Sequence, residues 1–431
     1  MAGMAAAAFA IYLLCATFTS TVVAAEQENT TVPESTSRRY EIGYEETPSF
    51  GGPNSPAGQL ERDDTVREPA FEFPAIYEFT EPWRNWKRER LETNGLQIAG
   101  HYTTLYQRLS DSIDGEDKAS SGVLRAIAKW TLTGRDTANT GSLNAMVDYR
   151  HAFRDLAPSE LAPEAGYIGV TGTLYSDVDW VVVNLNWEQV LANGYGGVLV
   201  GRYDPNDYMN VHGFVNPWET FSNLSILLDS SVAFPDAGWG AIGGWRFTDQ
   251  WYFSLGFNDA NGKVDDNLDW FDGGAEFFSW VEIGLSPSQA ERWQRKFNVS
   301  LWHVDERDDA GIDSGNGVLV SGHWTFANRF GPFLKLGLSD GAEQVVIYEK
   351  SVTLGFTWEI APDADEIGFA VNWGEPPAKD LSDQTTLEAY YRFQFARNFA
   401  ITPSLQLLID PALNPDDDEV WVFGLRMRLT F

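Results

Sequence analysis

Cysteine is almost absent. The chain has one, Cys15, and it sits inside the apolar N-terminal run. That excludes a disulfide framework and any cysteine-ligated metal in the body of the chain. Histidine is scarce as well: His101, His151, His212, His303 and His323 are scattered without metal-ligand spacing. No serine–histidine arrangement suited to hydrolysis accompanies them, so neither an enzyme nor a bound cofactor or metal is expected. Positive charge is in short supply, with 30 Lys and Arg against 62 Asp and Glu and a net charge of −32. Nucleic acid, which needs basic grooves, is excluded as a partner. Long hydrophobic runs are missing after residue 25 and mean hydropathy is −0.27, so no bundle of membrane-spanning helices is expected.

The one long apolar run has a separate meaning. Ala5 to Ala16 carries no charge, and Val23-Ala24-Ala25 precedes Glu26 as a small-residue cleavage pattern. Residues 1–25 read as a secretory signal, too short to cross a bilayer stably, although Met1 to Met4 lack the usual Lys or Arg. Leu14 is too large for a lipoprotein signal, which leaves Cys15 in the apolar core of that leader. Residues 26–70 are acidic and rich in Pro, Gly, Ser and Thr, and read as a disordered arm. Residues 71–95 hold Trp83, Arg84, Trp86, Lys87 and Arg88, and are expected to plug or cap one mouth of the domain formed by the remaining residues.

Residues 96–431 alternate with a period of two. In the last fourteen residues Trp421, Phe423, Leu425, Met427, Leu429 and Phe431 alternate with a set ending Gly424, Arg426, Arg428, Thr430. Alternate residues of a strand point to opposite faces, so one face is apolar and the other polar. About sixteen such segments begin near residues 96, 121, 142, 179, 197, 239, 250, 276, 296, 317, 332, 350, 365, 384, 398 and 418. A soluble all-β array could bury such faces against a second sheet. Two details favour lipid. Trp239, Trp251, Trp280, Trp324, Trp358, Trp373 and Trp421 recur at strand ends, where interfacial girdles form. Tight connections (247–251, 396–399) also alternate with long ones (204–238, 258–275), which is the two-rim pattern of a membrane barrel. The expected fold is therefore all-β: a closed antiparallel transmembrane β-barrel of about sixteen strands in the outer membrane of a Gram-negative cell.

A barrel of that size leaves an aqueous lumen. The predicted inward set contains Arg125, Lys129, Arg150, Arg202, Arg246, Lys335, Arg392, Arg426 and Arg428, with Asp148, Glu188, Glu282, Glu359 and Glu388 among them. These arginines either balance lumenal carboxylates or form a constriction whose guanidinium forks bind solute hydroxyls. Trp180, Tyr203 and Tyr390 are candidate stacking platforms, and His101 a lumenal hydrogen-bonder. The acidic clusters around Asp114, Asp266, Asp308 and Asp417 read as solvated turns, with divalent-ion bridging to lipopolysaccharide as the alternative.

Several stretches carry a family likeness. Trp83 through Leu96, Asn186-Trp187-Glu188-Gln189, Val200 through Asp207, Asp383 through Arg392 and, most specifically, Ala400 through Ala412 resemble motifs of the carbohydrate-selective, OprB-like porins. The likeness spans about residues 75–431. It departs in the acidic arm before residue 70 and in the basic cluster Arg84 to Arg90, where family members are often Gly-rich. The resemblance implies a sixteen-stranded barrel for passive, substrate-biased diffusion of monosaccharides. The expected constriction is Arg150 and Arg202 donating to sugar hydroxyls, Glu188 and Asp204 orienting those arginines, and Arg125 beside them. Alternatives are a less selective porin for other small polar solutes and a surface or adhesive barrel displaying its long loops. The residues leave open whether the assembly is a monomer or a homotrimer.

Overall fold

From Leu96 onward the alternation becomes strand. The computed structural model describes residues 39–44, 51–264, 271, 274–361 and 363–431. Its strands are β1 Leu96–Leu109, β2 Lys118–Thr133, β3 Gly141–Ala152, β4 Asp179–Leu191, β5 Gly196–Tyr203 and β6 Gly238–Arg246. Then come β7 Trp251–Asp259, β8 Phe277–Leu285, β9 Arg295–Val304, β10 Gly315–Trp324 and β11 Phe330–Gly341. The ring is completed by β12 Lys350–Glu359, β13 Glu366–Glu375, β14 Gln384–Ala396, β15 Phe399–Ile409 and β16 Glu419–Thr430. Each strand pairs antiparallel with its sequence neighbours, and β1 pairs with β16 through His101–Thr430 to Leu109–Val422. The sheet therefore closes without a free edge, as a membrane-spanning sheet must. Every strand begins within three residues of the start expected from alternation.

The two faces separate as their chemistry requires. On β16, Trp421, Phe423, Leu425, Met427 and Leu429 are exposed while Val422, Arg426 and Arg428 are buried inside. Leu255, Ile283, Leu301 and Leu354 continue the exposed apolar surface around the ring. A continuous apolar wall of this kind is tolerated in lipid rather than water. Short turns such as 192–195, 247–250 and 397–398 gather on one rim, which also carries the end of β16. The connections from β3 to β4, from β5 to β6 and from β7 to β8 are longer and leave from the other.

Three expectations need correction. Trp280 does not belong to the outer girdle: it faces inward with Phe278 and Trp302 in a buried cluster. Trp180 lies on the outer side, paired with Tyr149, and cannot stack on a lumenal solute. The stretch 26–70 is not a disordered arm throughout. Over 51–64 it is ordered and largely buried, because its polar side chains find charged partners in the lumen. Residues 1–38 and 45–50, with the signal expected over 1–25, lie outside the described residues.

Candidate functional site

Two segments enter the barrel from opposite rims. From the short-turn rim comes 51–67, built around the helix Pro56–Asp64. Ser55 caps that helix by accepting from the Gly58 N–H, and Pro56 occupies its first position, where a missing N–H costs nothing. Both feet of the segment stand on the same rim. Asp64 accepts from the backbone N–H groups of Ile42, Gly43 and Tyr44 at 2.7–2.8 Å, and the Tyr44 hydroxyl pairs with the backbone of Ile98 at the start of β1. Ala70 and Phe71 donate to the carbonyls of Gln394 and Phe395 at the end of β14.

From the opposite rim, loop 204–237 folds inward and is almost wholly buried. The wall of β8 to β16 holds it. Glu282 accepts from the Asn210 N–H at 2.8 Å, Lys296 donates to Val211 O at 3.1 Å, and His212 pairs with Ser321 at 2.8 Å. Glu388 accepts from the N–H groups of Ser222 and Asn223 at 2.8 and 3.0 Å, Gln406 accepts from Asn223 at 3.0 Å, and Arg426 donates to Pro217 O at 2.6 Å. Phe214 stacks on Phe333 at 3.8 Å and Phe221 meets Tyr390 edge-on. Tyr390, expected to stack on a sugar, is thus already covered by protein. Gly337 on β11 has no side chain because Ser231 and Asp229 of the loop occupy that space.

The two segments meet at Asn54. Its Nδ2 donates to Asp207 at 2.6 Å, while its Oδ1 accepts from Gln59 at 2.5 Å, Trp218 Nε1 at 2.7 Å and Arg125 at 3.0 Å. Arg125 also grips Asp148 through two bonds of 2.6 and 2.7 Å and lies 4.5 Å over the Trp218 ring. Arg150 binds the same carboxylate at 2.8 Å. Nearby, Lys129 stands 3.6 Å from Glu188, Asn144 bridges Glu188 and Asn186, and Asn186 and Tyr208 both donate to Asn184. Asn184 also faces Asp207. Along this chain of polar groups, Gln59 Oε1, Asn144 Oδ1 and Glu188 Oε1 are buried without a hydrogen-bond partner among the described residues. Each such orphan costs about 1–3 kcal/mol unless something else bonds it.

Charge is strongly organised on both segments. Burial, reinforced by the neighbouring Asp204 carboxylate, pushes Asp207 up to about 8. Glu219 goes the other way. Burial disfavours its ionised form, but the guanidinium groups of Arg67, Arg62 and Arg428 hold it well below the usual carboxylate range. Arg62 and Arg67 each lie 2.5 Å from Glu219, and Arg428 ties Glu219 (3.1 Å) to Asp63 (2.7 Å).

Of the expected constriction residues, Arg125, Arg150 and Glu188 face this network. The orienting carboxylate for both arginines is Asp148 rather than Glu188 or Asp204. Asp204 instead caps the turn Pro205–Asp207 by accepting from Asn206. Arg202 stands apart. It pairs with Leu185 and Trp239 in the sheet, is fully buried, and donates to the carbonyls of Val182 and Lys263. Tyr203 is likewise occupied, donating to Phe257 O at 2.8 Å. His101 does face inward, buried beside Trp218. Alternation could not find Asn54, Trp218 or Glu219, which lie outside any strand. The Ser55–Pro56 helix-start signature was the one available signal for the inserted helix.

Residues 333–431 match the model of the carbohydrate-selective porin, OprB family. Among solved structures, the high-pH structure of Pseudomonas putida OprB is similar at TM-score 0.62 and 14% identity, covering 81% of this chain and 97% of that one. The low-pH structure of the same protein gives TM-score 0.48 and 14% identity over 82% and 97%. In-vitro folded OmpT of Vibrio cholerae gives 0.46 and 11% over 78% and 97%. No curated protein matches the chain. The first of these likenesses shows a porin fold for the barrel.

Proposed function

We propose that this chain is an outer-membrane porin that lets small hydroxyl-rich solutes, monosaccharides first among them, diffuse down their gradients. The observation that carries this reading is the polar network where the two inserted segments meet the wall of β2 to β5. A sugar presents closely spaced hydroxyls that both donate and accept. The unpartnered oxygens of Asn144, Glu188 and Gln59 are acceptors, and the forks of Arg125 and Arg150 beside them are donors. Amines or carboxylates of amino acids would satisfy only part of that set. In this mechanism Asp148 positions both arginines, Trp218 backs Arg125, and Asp204 acts through its effect on Asp207. Arg202 stays outside the path.

Supporting the same reading are the family match of the C-terminal quarter and the segregation of apolar and polar strand faces. Liposome swelling tests it: glucose should enter faster than amino acids of similar size, and Glu188→Gln should narrow the difference. Equal rates would favour a less selective porin. One observation favours a surface protein instead, namely that 51–64 and 204–237 pack the lumen at mid-depth. Absence of flux both in the full chain and after removal of 51–67 would support that second reading.

A further inference from the structure

The helix Pro74–Asn94 carries an exposed aromatic face that neither the barrel nor the inserted segment uses. It starts with Pro74 at its first position and ends at Gly95, whose left-handed φ of 67° lets its N–H return to the carbonyls of Arg90 and Leu91. Three faces run along it. Tyr77, Thr80, Arg84, Lys87 and Leu91 form the packed face: Arg84 covers the Tyr77 ring at 3.5 Å and pairs with Glu41 at 2.9 Å, and both Arg84 and Lys87 are buried. Glu78, Glu81, Asn85, Glu89 and Glu92 form a polar face. The third face is Ile76, Phe79, Trp83 and Trp86, spaced as one helical stripe. Phe79 is 85% exposed and Ile76 62%, and Trp83 stacks on Trp86 at 4.9 Å.

Such a stripe needs an occupant, and its two ends say which. At the N-terminal end Phe71 and Phe73 lie 4.9 and 6.0 Å from Phe395, an outward residue of β14 whose ring also meets Phe393 and Phe399. At the C-terminal end the indole of Trp130, an exposed outward residue of β2, donates to Asn94 O at 3.1 Å. Both ends are therefore fixed to the aromatic belt of the outer wall on the short-turn rim. A helix of this length spans about 30 Å, running along the rim between those two points.

We propose that Ile76, Phe79, Trp83 and Trp86 form an interfacial anchor that lies in the phospholipid leaflet at the short-turn rim, continuous with the lipid-facing wall. The polar face turns to water, and the packed face keeps the foot of the inserted segment in place. Aromatic residues sit well at this depth because their rings combine apolar bodies with polar edges. The inference rests on the membrane reading of the barrel. It adds a second, helical contact with lipid.

Site-directed nitroxide labelling tests it, on a Cys15→Ser background where every introduced cysteine is the only one. Labels at Phe79→Cys, Glu89→Cys and Phe423→Cys would be compared in vesicles of phosphatidylethanolamine and phosphatidylglycerol, with heat-modifiable migration confirming that each variant folds. The expected result is oxygen access without nickel-chelate access at 79 and 423, and the reverse at 89. A nickel-accessible label at 79, with 423 still in lipid, overturns the anchor while leaving the barrel standing. A wetted label at 423 would remove the membrane reading and the anchor together.

Discussion

The loop 204–237 and the segment 51–67 fill the same lumen by different chemistry. The loop has an apolar core of its own: Phe214, Val215, Phe221, Ile226 and Leu227 pack with Phe333, Ala370 and Tyr390 of the wall. The N-terminal segment places one apolar side chain, Leu60, among Ile127, Met146, Val181 and Val183 of the wall, and otherwise relies on polar contacts, with ion pairs from Arg62, Arg67 and Asp63 at its base and Asn54 bonded at its tip. Apolar packing in a dense interior has no substitute in water, whereas ion pairs and hydrogen bonds exchange with water at modest net change. The loop thus belongs with the wall, and the segment is expected to be the piece whose removal the barrel tolerates.

The largest effect should come from deleting residues 51–67. Single-channel conductance should rise several-fold while heat-modifiable migration still reports a folded barrel; unchanged conductance would mean that the loop alone sets the constriction. The loop should behave oppositely. Phe214→Ala should cost about 3–5 kcal/mol of stability, as large core truncations do, and lower the thermal midpoint without opening the channel. Glu219→Gln lies between the two cases. It leaves buried arginines without their carboxylate, a loss of about 3–5 kcal/mol for such pairs, and should free the base of the segment and give fluctuating, larger conductance states in planar bilayers.

The smallest effect concerns pH. The unfolded chain releases the Asp207 proton in the ordinary carboxylate range, but the folded protein keeps it up to about 8. Protons are therefore bound in excess by the native state, and stability should fall as pH rises from about 4 to about 8, then level off. Asp207→Asn should remove that part of the decline in the thermal midpoint, and an identical slope in both proteins would show that Asp207 ionises normally.

The same contrast explains how much of the molecule is legible in its sequence. The wall is legible because alternation is imposed on every strand by lipid outside and water or polar partners inside. On β16 the arginines Arg426 and Arg428 fall inward as their spacing requires. Trp280 shares the parity of inward-facing Glu282, so alternation rather than a place in the girdle decides its face, whereas Trp180 turns outward because the β3–β4 pairing shifts register between Met146 and Val147. The lumen is harder to read. Arg125 and Arg150 lie in strands and obey the alternation, but the groups that organise them, Asn54 and Trp218, come together across sequence separations of 71 and 164 residues in the hydrogen-bond network. Arg202 follows the left-handed Gly201, at φ 140°, and its guanidinium is taken up by the carbonyls of Val182 and Lys263, which alternation does not foresee.

The pairing of β1 with β16 has a consequence for assembly order. The first strand can find its final neighbour only after the whole ring has been laid down, so the seam is the most non-local strand pairing in the molecule and the last to form. Until it does, the sheet has two raw margins able to capture other chains, and a chaperone that shields them would matter more to yield than any side chain in the lumen.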